Sequence, residues 1–369
     1  MKDISKLKVA IVHDWLIGGG AEQVVLELHL MFPEAPIYTS YCTEEWRRRL
    51  NFKVITGSLQ HWPFNHLRKY IPFLRAWWFS HLNLTGYDLV ISSSGAEAKA
   101  VKVVKPTIHV NYCHAPTHYY WSRYDEYMKN PGFGIFNSLA RFGLKTLVGP
   151  MRKWDLKASQ RADYMIANST YTQAQIKKYY SRDSFVIHPP VDVEKFTGDV
   201  TIETKKFGLV AAGRQVPYKR FDLVVDACTK LELPLTVIGN GPEHRKLVKR
   251  AGQSIVFASK VTEIQIIDYF KSAAGFVFPG VDDFGIVAVE AMAAGTPVIA
   301  FRSGGALDYV VEGKTGLFFN AATAETLADT LSQFNPAKFS VTEVQATANQ
   351  FNKAMFQQHI LDYLAKIMV

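Results

Sequence analysis

The stretch FGLVAAGR, residues 207–214, is followed by a helical pattern, YKRFDLVVDACTKL (218–231), and by a second apolar run, LTVIGNG (235–241). Continuous apolar runs of this length are typical of strands buried on both faces, and a helix between two of them predicts a parallel βαβ unit. The alternation continues through four more apolar runs: SIVFASK (254–260), GFVFPG (275–280), PVIAF (297–301) and TGLFF (315–319). This part of the chain therefore predicts an open parallel sheet with helices on both faces.

The first half of the chain has the same rhythm. A buried strand, LKVAIVHDW (7–15), precedes an amphipathic helix, AEQVVLELHLMF (21–32). Further strands are predicted at PIYTSYC (36–42), FKVITG (52–57), YDLVISSS (87–94), TIHVNYCH (107–114) and YMIANST (164–170). The fold class is therefore α/β, with two doubly wound domains.

The break between the two domains is expected near His188-Pro189-Pro190-Val191 and the polar stretch to Lys206, because two prolines in a row continue neither a helix nor a strand. We expect domains at 1–190 and 191–349, and a C-terminal helix at about 350–369 that could cross back to the first domain. Ligands of open parallel sheets bind at the carboxyl ends of the strands, so two such sheets facing each other would form a cleft.

Composition narrows the class of protein. The 369 residues are 48% hydrophobic, and 42 Lys and Arg against 33 Asp and Glu leave a net charge of +9, which favours phosphate-bearing or anionic partners. Three cysteines without a CxxC spacing argue against a disulfide framework or a structural zinc site. The cysteine pattern suits a reducing cytoplasm. We read no signal peptide at the N-terminus, and no apolar run is long enough to span a membrane.

Two cations follow the strand FGLVAAGR. Arg214 ends it, and Lys219 comes five residues later, where we expect the next helix to begin. A guanidinium can bind two phosphate oxygens and an ammonium adds a compact charge, so together they could hold a diphosphate at a helix N-terminus. Two solvated basic residues on a loop remain the alternative.

A glycine run, IGGGAEQVV (17–25), follows the first strand. Gly18, Gly19 and Gly20 would allow a close approach of the backbone to an anion. The run is neither GxGxxG nor a P-loop, and a tight strand-to-helix turn explains it equally well.

His114 ends another predicted strand, where a histidine can bond a sugar hydroxyl or polarise a reacting centre. A purely structural histidine is the alternative reading of His114. His118 competes for the same role.

A carboxylate occupies an otherwise apolar helix in PGVDDFGIVAVEAMAAGTPVIA (279–300). Burying Glu290 there is costly unless a partner such as a ribose diol satisfies it. The preceding turn would present the amides of Phe284, Gly285 and Ile286, with Asp282 or Asp283 accepting from hydroxyls. We favour Asp282 for binding, eight residues before Glu290, and Asp283 as the helix cap.

Taken together, these stretches resemble the retaining GT-B glycosyltransferases of the large group called family four. The block DDFGIVAVEAMAAGTPV is similar to that group's E-x7-E signature, with Asp282 where the family usually has Glu. The resemblance extends over most of the chain through "AAGR…YKR", HPPVDVEKF (188–196), GNGPE (239–243) and the glycine pair at 304–305. It implies a GT-B fold of two Rossmann-like domains facing across a cleft.

The resemblance also implies roles for individual residues. Arg214 and Lys219 would bind the donor diphosphate, and Glu290 would hold the ribose. Asp282, helped by the amides of Phe284 and Gly285, would hold the transferred sugar, while His114 faces that sugar and Gly19 and Gly20 lie beside the phosphates. The activity implied is transfer of a sugar with retention of configuration, without a metal or other cofactor.

EAMAAGTPVIAF and YCHAP are similar to stretches of the bacterial branch that uses GDP-mannose. The expected function is therefore mannose transfer to a lipid-linked or glycan acceptor in surface polysaccharide or glycolipid synthesis. Three alternatives remain: a UDP-sugar-dependent enzyme of the same fold, a GT-B phosphorylase or epimerase, and a basic α/β protein that binds nucleic acid. The last has no nucleic-acid-binding motif in its favour, so nucleic acid is not an expected partner.

The stretch HWPFNHLRKYIPFLRAWWFSHL (61–82) interleaves aromatic and basic residues. Such a surface suits an anionic bilayer and predicts a peripheral protein on the inner face of the cell membrane. The candidate contact residues are Arg68, Lys69, Arg75, Trp77 and Trp78. A helix packed into the first domain, with one solvated face, is the alternative.

Overall fold

A computed structural model describes residues 4–67, 71–129, 134, 137–197 and 207–368. The chain forms two compact units. Unit 1 comprises Met1–Pro189 and Phe356–Val369, and unit 2 comprises Pro190–Met355. The chain thus leaves unit 1 between the two consecutive prolines.

Unit 1 is built on a seven-stranded parallel sheet with the order β3-β2-β1-β4-β5-β6-β7. Its strands are β1 (Val9–His13), β2 (Ile37–Thr39), β3 (Val54–Ile55), β4 (Leu89–Ser94), β5 (Ile108–Cys113), β6 (Tyr164–Ala167) and β7 (Phe185–Val186). The central strands are buried along their whole length, which accounts for their apolar runs. β7 was not predicted, since two residues at a sheet edge leave no readable pattern.

The helices of unit 1 connect these strands. They are α1 (Gly20–Met31), α2 (Glu44–Arg49), α3 (Phe64–Leu67), α4 (Pro72–Ser80), α5 (Tyr124–Lys129), α6 (Asn137–Ser159) and α7 (Thr170–Tyr180). Within the described ranges, no helix is both long enough and apolar enough to cross a bilayer.

Unit 2 repeats the architecture with a six-stranded parallel sheet in the order β10-β9-β8-β11-β12-β13. Its strands are β8 (Phe207–Ala212), β9 (Leu235–Ile238), β10 (Ile255–Ala258), β11 (Ala273–Phe278), β12 (Val298–Phe301) and β13 (Gly316–Phe319). Its helices are α8 (Val193–Phe196), α9 (Phe221–Lys230), α10 (His244–Arg250), α11 (Glu263–Ser272), α12 (Ile286–Ala293), α13 (Ala324–Gln333) and α14 (Val341–Asn349). The prediction of two doubly wound parallel sheets is confirmed.

The last helix, α15 (Lys353–Ile367), begins in unit 2 and ends in unit 1. Its apolar face, formed by Phe356, Ile360 and Leu364, is buried in a core of unit 1 that also contains Val9 and Ile11. The spacing of four residues places these three side chains on one face of the helix. The chain therefore returns to its first unit after completing the second.

Candidate active site

The carboxyl edge of the unit 2 sheet carries the two predicted phosphate-binding cations. Arg214 lies two residues beyond β8 and is exposed. Lys219 does not begin a helix, as we had expected, but ends a short 3-10 turn, Pro217–Lys219. Arg220, in a left-handed conformation with φ 52°, is the N-cap of α9, which begins at Phe221. The turn keeps Lys219 at the edge of the sheet.

Lys219 forms an ion pair with Asp282, although 63 residues separate them in sequence. The pair is accessible, with 17% and 13% of the two side chains exposed. It forms because β8 and β11 are neighbours in the sheet, so the loops that follow them meet. A side chain at Gly280 would place its Cβ 2.7 Å from the Lys219 Cα atom. The structure thus brings together two residues that the sequence assigns to the donor site.

The loop between Asp282 and α12 is held in one conformation by two glycines. Gly285 caps α12 with φ 95°, and a Cβ there would lie 2.6 Å from Phe278 Cζ and 2.8 Å from the Tyr309 hydroxyl. Gly305 donates its N–H to the Asp282 carbonyl oxygen at 2.9 Å. The prediction that Asp283 caps the helix is wrong, because Gly285 occupies that position.

Phe284 and Ile286 flank this cap. The Phe284 side chain is buried and packs edge-on against Tyr309, with ring centroids 5.5 Å apart. Ile286 is the first residue of α12 and is half-buried. Packing of the Phe284 ring explains the apolar residue in this turn, while the binding role of the amides stays a prediction.

Tyr309 lies against the turn before α12, and the sequence analysis did not single it out. Its hydroxyl is buried and has no hydrogen-bond partner among the described residues. Burial, together with the negative charges of Asp282 and Asp308, raises the pKa of Tyr309 well above its ordinary value. The phenol therefore stays protonated and adds a hydrogen-bond donor to this region.

Glu290 lies in the second turn of α12 and is half-buried. Within the described part of the chain, no side chain or amide hydrogen-bonds its carboxylate. Burial raises the pKa of Glu290 to about 7. The positive charge of Lys195 lowers this pKa, and the negative charge of Asp192 raises it. Sequence reasoning missed Lys195, which lies on α8 and pairs with Glu263. The carboxylate is thus a hydrogen-bond acceptor without a partner among the described residues, and its binding of a ribose stays a prediction.

In unit 1, the glycine run forms the turn into α1. Gly19 is the cap of α1 and Gly20 its first residue. The buried carboxylate of Glu22 accepts hydrogen bonds from the amides of Ile17 at 3.3 Å and Gly18 at 3.1 Å. A carboxylate of the chain itself therefore occupies part of this turn, and a phosphate-binding role for Gly19 and Gly20 stays a prediction.

His114 and His118 have different surroundings. His114 directly follows β5 and is half-buried, with Nε2 2.7 Å from Ser93 Oγ. His118 is also half-buried, and its Nδ1 lies 2.9 Å from Ser122 Oγ. His114 joins a hydrogen-bonded group that reaches the central strands β4 and β1.

Residues 61–82, which interleave aromatic and basic side chains, include both exposed and buried side chains. Trp77 is 60% exposed, whereas Trp78 is half-buried and packs closely on Gly57. The prediction that Arg75 contacts a membrane is wrong, because its side chain is 3% exposed and pairs with the buried Glu97 at 2.8 Å. Arg68 and Lys69 lie outside the described residues.

The unit 2 cluster has the chemistry of a nucleotide-sugar site. Arg214 and Lys219 supply positive charge suited to phosphate oxygens. Asp282 and Glu290 supply acceptors suited to hydroxyl groups. All four lie on or just after elements at the carboxyl edge of the sheet, where open parallel sheets bind their ligands.

Comparison with known proteins identifies two matching families and several relatives. Residues 192–338 match the family described as Glycosyl transferases group 1, and residues 18–195 match Glycosyltransferase Family 4. The alpha-1,3/1,6-mannosyltransferase alg2 of Schizosaccharomyces pombe is 25% identical over 84% of this chain and 70% of its own length. The GDP-mannose-dependent alpha-(1-6)-phosphatidylinositol monomannoside mannosyltransferase of Mycolicibacterium smegmatis is 27% identical over 45% of this chain and 51% of its own.

The chain spans about half the length of several D-inositol 3-phosphate glycosyltransferases that it also matches. Among solved structures, HepE of Anabaena, in complex with UDP and glucose, has a TM-score of 0.72. It is 17% identical, with 98% of this chain and 100% of that chain covered, so it supports the fold alone. The two family matches run in order from residue 18 to residue 338, and the chain belongs to the GT-B glycosyltransferases with family 4 and group 1 domains.

Proposed function

We propose that this protein is a retaining glycosyltransferase that moves mannose from GDP-mannose to a lipid-linked or glycan acceptor. The observation that carries the proposal is the Lys219–Asp282 ion pair at the carboxyl edge of the unit 2 sheet. It joins a cation suited to a phosphate and an acid suited to sugar hydroxyls, and the exposed Arg214 follows β8 at the same edge of the sheet. Family membership gives no support to the nucleic-acid-binding alternative.

In the proposed reaction, the bond between the anomeric carbon and the phosphate oxygen breaks, and its electron pair stays on the diphosphate. The acceptor hydroxyl forms the new bond on the same face of the sugar, and its proton passes to the departing phosphate oxygen. Arg214 and Lys219 stabilise the charge that develops on the diphosphate, so the reaction requires no metal or other cofactor. Donor binding replaces the Asp282 partner of Lys219 with a phosphate and leaves Asp282 to the sugar hydroxyls.

Glu290 completes the donor site in this proposal. A ribose diol that donates to its carboxylate supplies the hydrogen bonds that the chain does not. The choice of mannose is supported by the two mannosyltransferase relatives, and the choice of GDP by the Mycolicibacterium smegmatis enzyme alone. A UDP-sugar is the second candidate donor.

Donor screening tests the reaction directly. The protein is mixed with GDP-mannose, UDP-glucose or UDP-N-acetylglucosamine and an acceptor extract, and nucleoside diphosphate release is followed. We expect release from GDP-mannose, with loss of activity in Arg214→Ala and Glu290→Ala. Lys230→Ala is the matched control, because Lys230 is an exposed cation at the far end of α9. Release of UDP from a UDP-sugar, with no release of GDP from GDP-mannose, would show that the donor is a UDP-sugar. Near-normal activity of both Arg214→Ala and Glu290→Ala would refute the proposed donor site.

We further propose that unit 1 binds the cytoplasmic surface of an anionic membrane, where a lipid-linked acceptor resides. Two exposed apolar surfaces support this. One, around α3 and α4, contains Trp62, Phe73 and Trp77, which are 79%, 58% and 60% exposed. The other is on α6, where Leu139 and Phe142 are 69% and 67% exposed.

On α6, the exposed apolar side chains lie beside the exposed cations Arg141 and Lys145. Residues 137–154 contain no acidic side chain. The next acid in α6, Asp155, is fully buried. A helix that combines exposed apolar and basic side chains in this way suits an interface with anionic lipids.

Vesicle sedimentation tests the membrane proposal. The protein should pellet with anionic vesicles at low salt and less so at high salt. Replacing Phe73 and Trp77 by serine, or Leu139 and Phe142 by serine, should weaken pelleting. Leu30→Ser, at a 58% exposed position on α1, is the control. Unchanged pelleting in both double variants would refute these surfaces as the membrane contact.

A further inference from the structure

Three polar side chains form a connected group across the carboxyl end of the unit 1 sheet. His13 ends β1, Ser93 lies near the end of β4, and His114 directly follows β5. β4 lies between β1 and β5 in the sheet, and Ser93 is in register with His13. The strand order therefore places the serine between the two histidines.

The distances define a chain of hydrogen bonds. His13 Nδ1 lies 2.8 Å from the main-chain oxygen of Ser93 and 3.2 Å from its hydroxyl. The same hydroxyl lies 2.7 Å from His114 Nε2. His13 and Ser93 are buried, so water does not compete for these bonds.

The positions of the protons follow from which atoms can only accept. A carbonyl oxygen accepts, so the bond to the Ser93 main chain requires the proton of His13 to be on Nδ1. That nitrogen then has no lone pair to receive the Ser93 hydroxyl proton. In the described part of the chain, the only other hydrogen-bond partner of this hydroxyl is His114 Nε2. Ser93 therefore donates to His114 Nε2.

We propose that His13 and Ser93 are positioning residues that hold neutral His114 in the tautomer with its proton on Nδ1. Because Nε2 accepts from Ser93, the other ring nitrogen is a hydrogen-bond donor and not a base. A protonated nitrogen donates to an oxygen lone pair and cannot act as a general base. The assignment of that donor to the transferred sugar rests on the function proposed above, whereas the tautomer does not.

The neighbouring residue provides a matched control. Ser92 is equally buried on the same strand, but its hydroxyl bonds a different histidine, His109, with Nε2 at 2.8 Å. Consecutive strand residues point to opposite faces of the sheet. Ser92→Ala thus removes a comparable buried serine–histidine hydrogen bond without touching the group that contains His114.

Nitrogen-15 NMR of the full chain labelled in histidine tests the tautomer without reference to any substrate. His114→Gln assigns the signals of its ring. We expect wild-type neutral His114 to show a protonated Nδ1 and an unprotonated Nε2. Ser93→Ala should shift these signals toward a mixture of tautomers, and Ser92→Ala should leave them in place. A wild-type ring with its proton predominantly on Nε2 would overturn the proposal.

Donor turnover tests the consequence for catalysis. Ser93→Ala should lower kcat by about fivefold to tenfold, the equivalent of one lost buried hydrogen bond, with a smaller change in KM. Ser93→Thr keeps the hydroxyl and should restore most of the rate, whereas a purely structural role predicts no such rescue. If Ser93→Ala changes the NMR signals but not kcat, the positioning role in catalysis is refuted while the tautomer stands. If no nucleotide-sugar is turned over by any form, the proposed function fails and the NMR result is unaffected.

Discussion

The two units use charged side chains in opposite ways. In unit 1, Lys99 and Asp155 pair at 2.7 Å and are 2% and 0% exposed. In unit 2, Lys219 and Asp282 also pair, but both are accessible to solvent. Both pairs join residues far apart in sequence, so sequence separation does not distinguish them. What distinguishes them is the number of other groups that already satisfy each carboxylate.

Asp155 is fully satisfied within the chain. Besides Lys99, it accepts hydrogen bonds from Thr117 at 2.9 Å and from Trp121 and Tyr180 at 2.7 Å each. Burial lowers the pKa of Lys99, but the Asp155 carboxylate more than offsets this, so the pKa lies above the ordinary lysine value. Because Asp155 already has four partners within the chain, it cannot accept further hydrogen bonds from a ligand. Glu290 and the Lys219–Asp282 pair have fewer partners and can bind one.

The largest effect is expected from breaking the unit 1 pair. Asp155→Ala leaves the Lys99 ammonium buried without its counter-charge and should lower the free energy of unfolding by about 3–5 kcal/mol, measured by urea denaturation. The control is Asp183→Ala, which removes an exposed pair with Lys177 and should leave the midpoint unchanged. Equal midpoints for wild type and Asp155→Ala would show that the buried pair does not stabilise the fold.

Breaking the unit 2 pair should affect activity and not stability. Lys219→Ala should lower kcat/KM for the donor by about 10²–10³-fold, because it removes a cation that stabilises the leaving diphosphate. The unfolding midpoint should stay close to that of wild type, since the pair is accessible. The measurement is nucleotide release beside urea denaturation, with Lys230→Ala as control. A destabilisation as large as that of Asp155→Ala would remove the contrast between the two units.

The raised pKa of Glu290 predicts a pH dependence of nucleotide binding. A ribose diol donates to the charged carboxylate, so binding favours deprotonation and affinity should rise as pH increases through about 7. The same shift implies that the unliganded fold loses stability over this range, because the folded state binds more protons than the unfolded state. Calorimetry from pH 6 to 8 measures both affinity and proton release.

Glu290→Gln provides the control for this pH dependence. It should bind more weakly, and its affinity should vary less with pH. A pH-independent affinity of the wild type would contradict ribose binding by Glu290.

The smallest effect concerns the length of the acid at position 282. Asp282→Glu introduces the side chain that the family usually has there and keeps the charge opposite Lys219. We expect donor turnover within about tenfold of wild type, well short of the hundredfold that a misplacement of about 1 Å can cause. Asp282→Asn keeps the size, removes the charge and should be more damaging. If donor turnover is slower in Asp282→Glu than in Asp282→Asn, the length of the side chain at this position matters more than its charge.

Most of the fold could be predicted because buried parallel strands leave continuous apolar runs, and helices between them leave a separate pattern. β1, β4 and β5 were predicted for this reason, whereas the two-residue β7 was not. The site was harder to predict. Lys219, Asp282 and Glu290 are predicted site residues on the basis of spacing and family resemblance, whereas no sequence pattern singles out Lys195, Tyr309 or Ser93.

The sequence by itself determined the two parallel sheets, the break at Pro189-Pro190 and the family. It did so because strand burial, proline chemistry and the spacing of Asp282 and Glu290 are local properties of the chain. Only the tertiary structure decided that Arg75 is a core residue, that Gly285 and not Asp283 caps α12, and that Ser93 lies between two histidines. Each of these depends on strand order or on packing between distant segments, which local patterns do not encode.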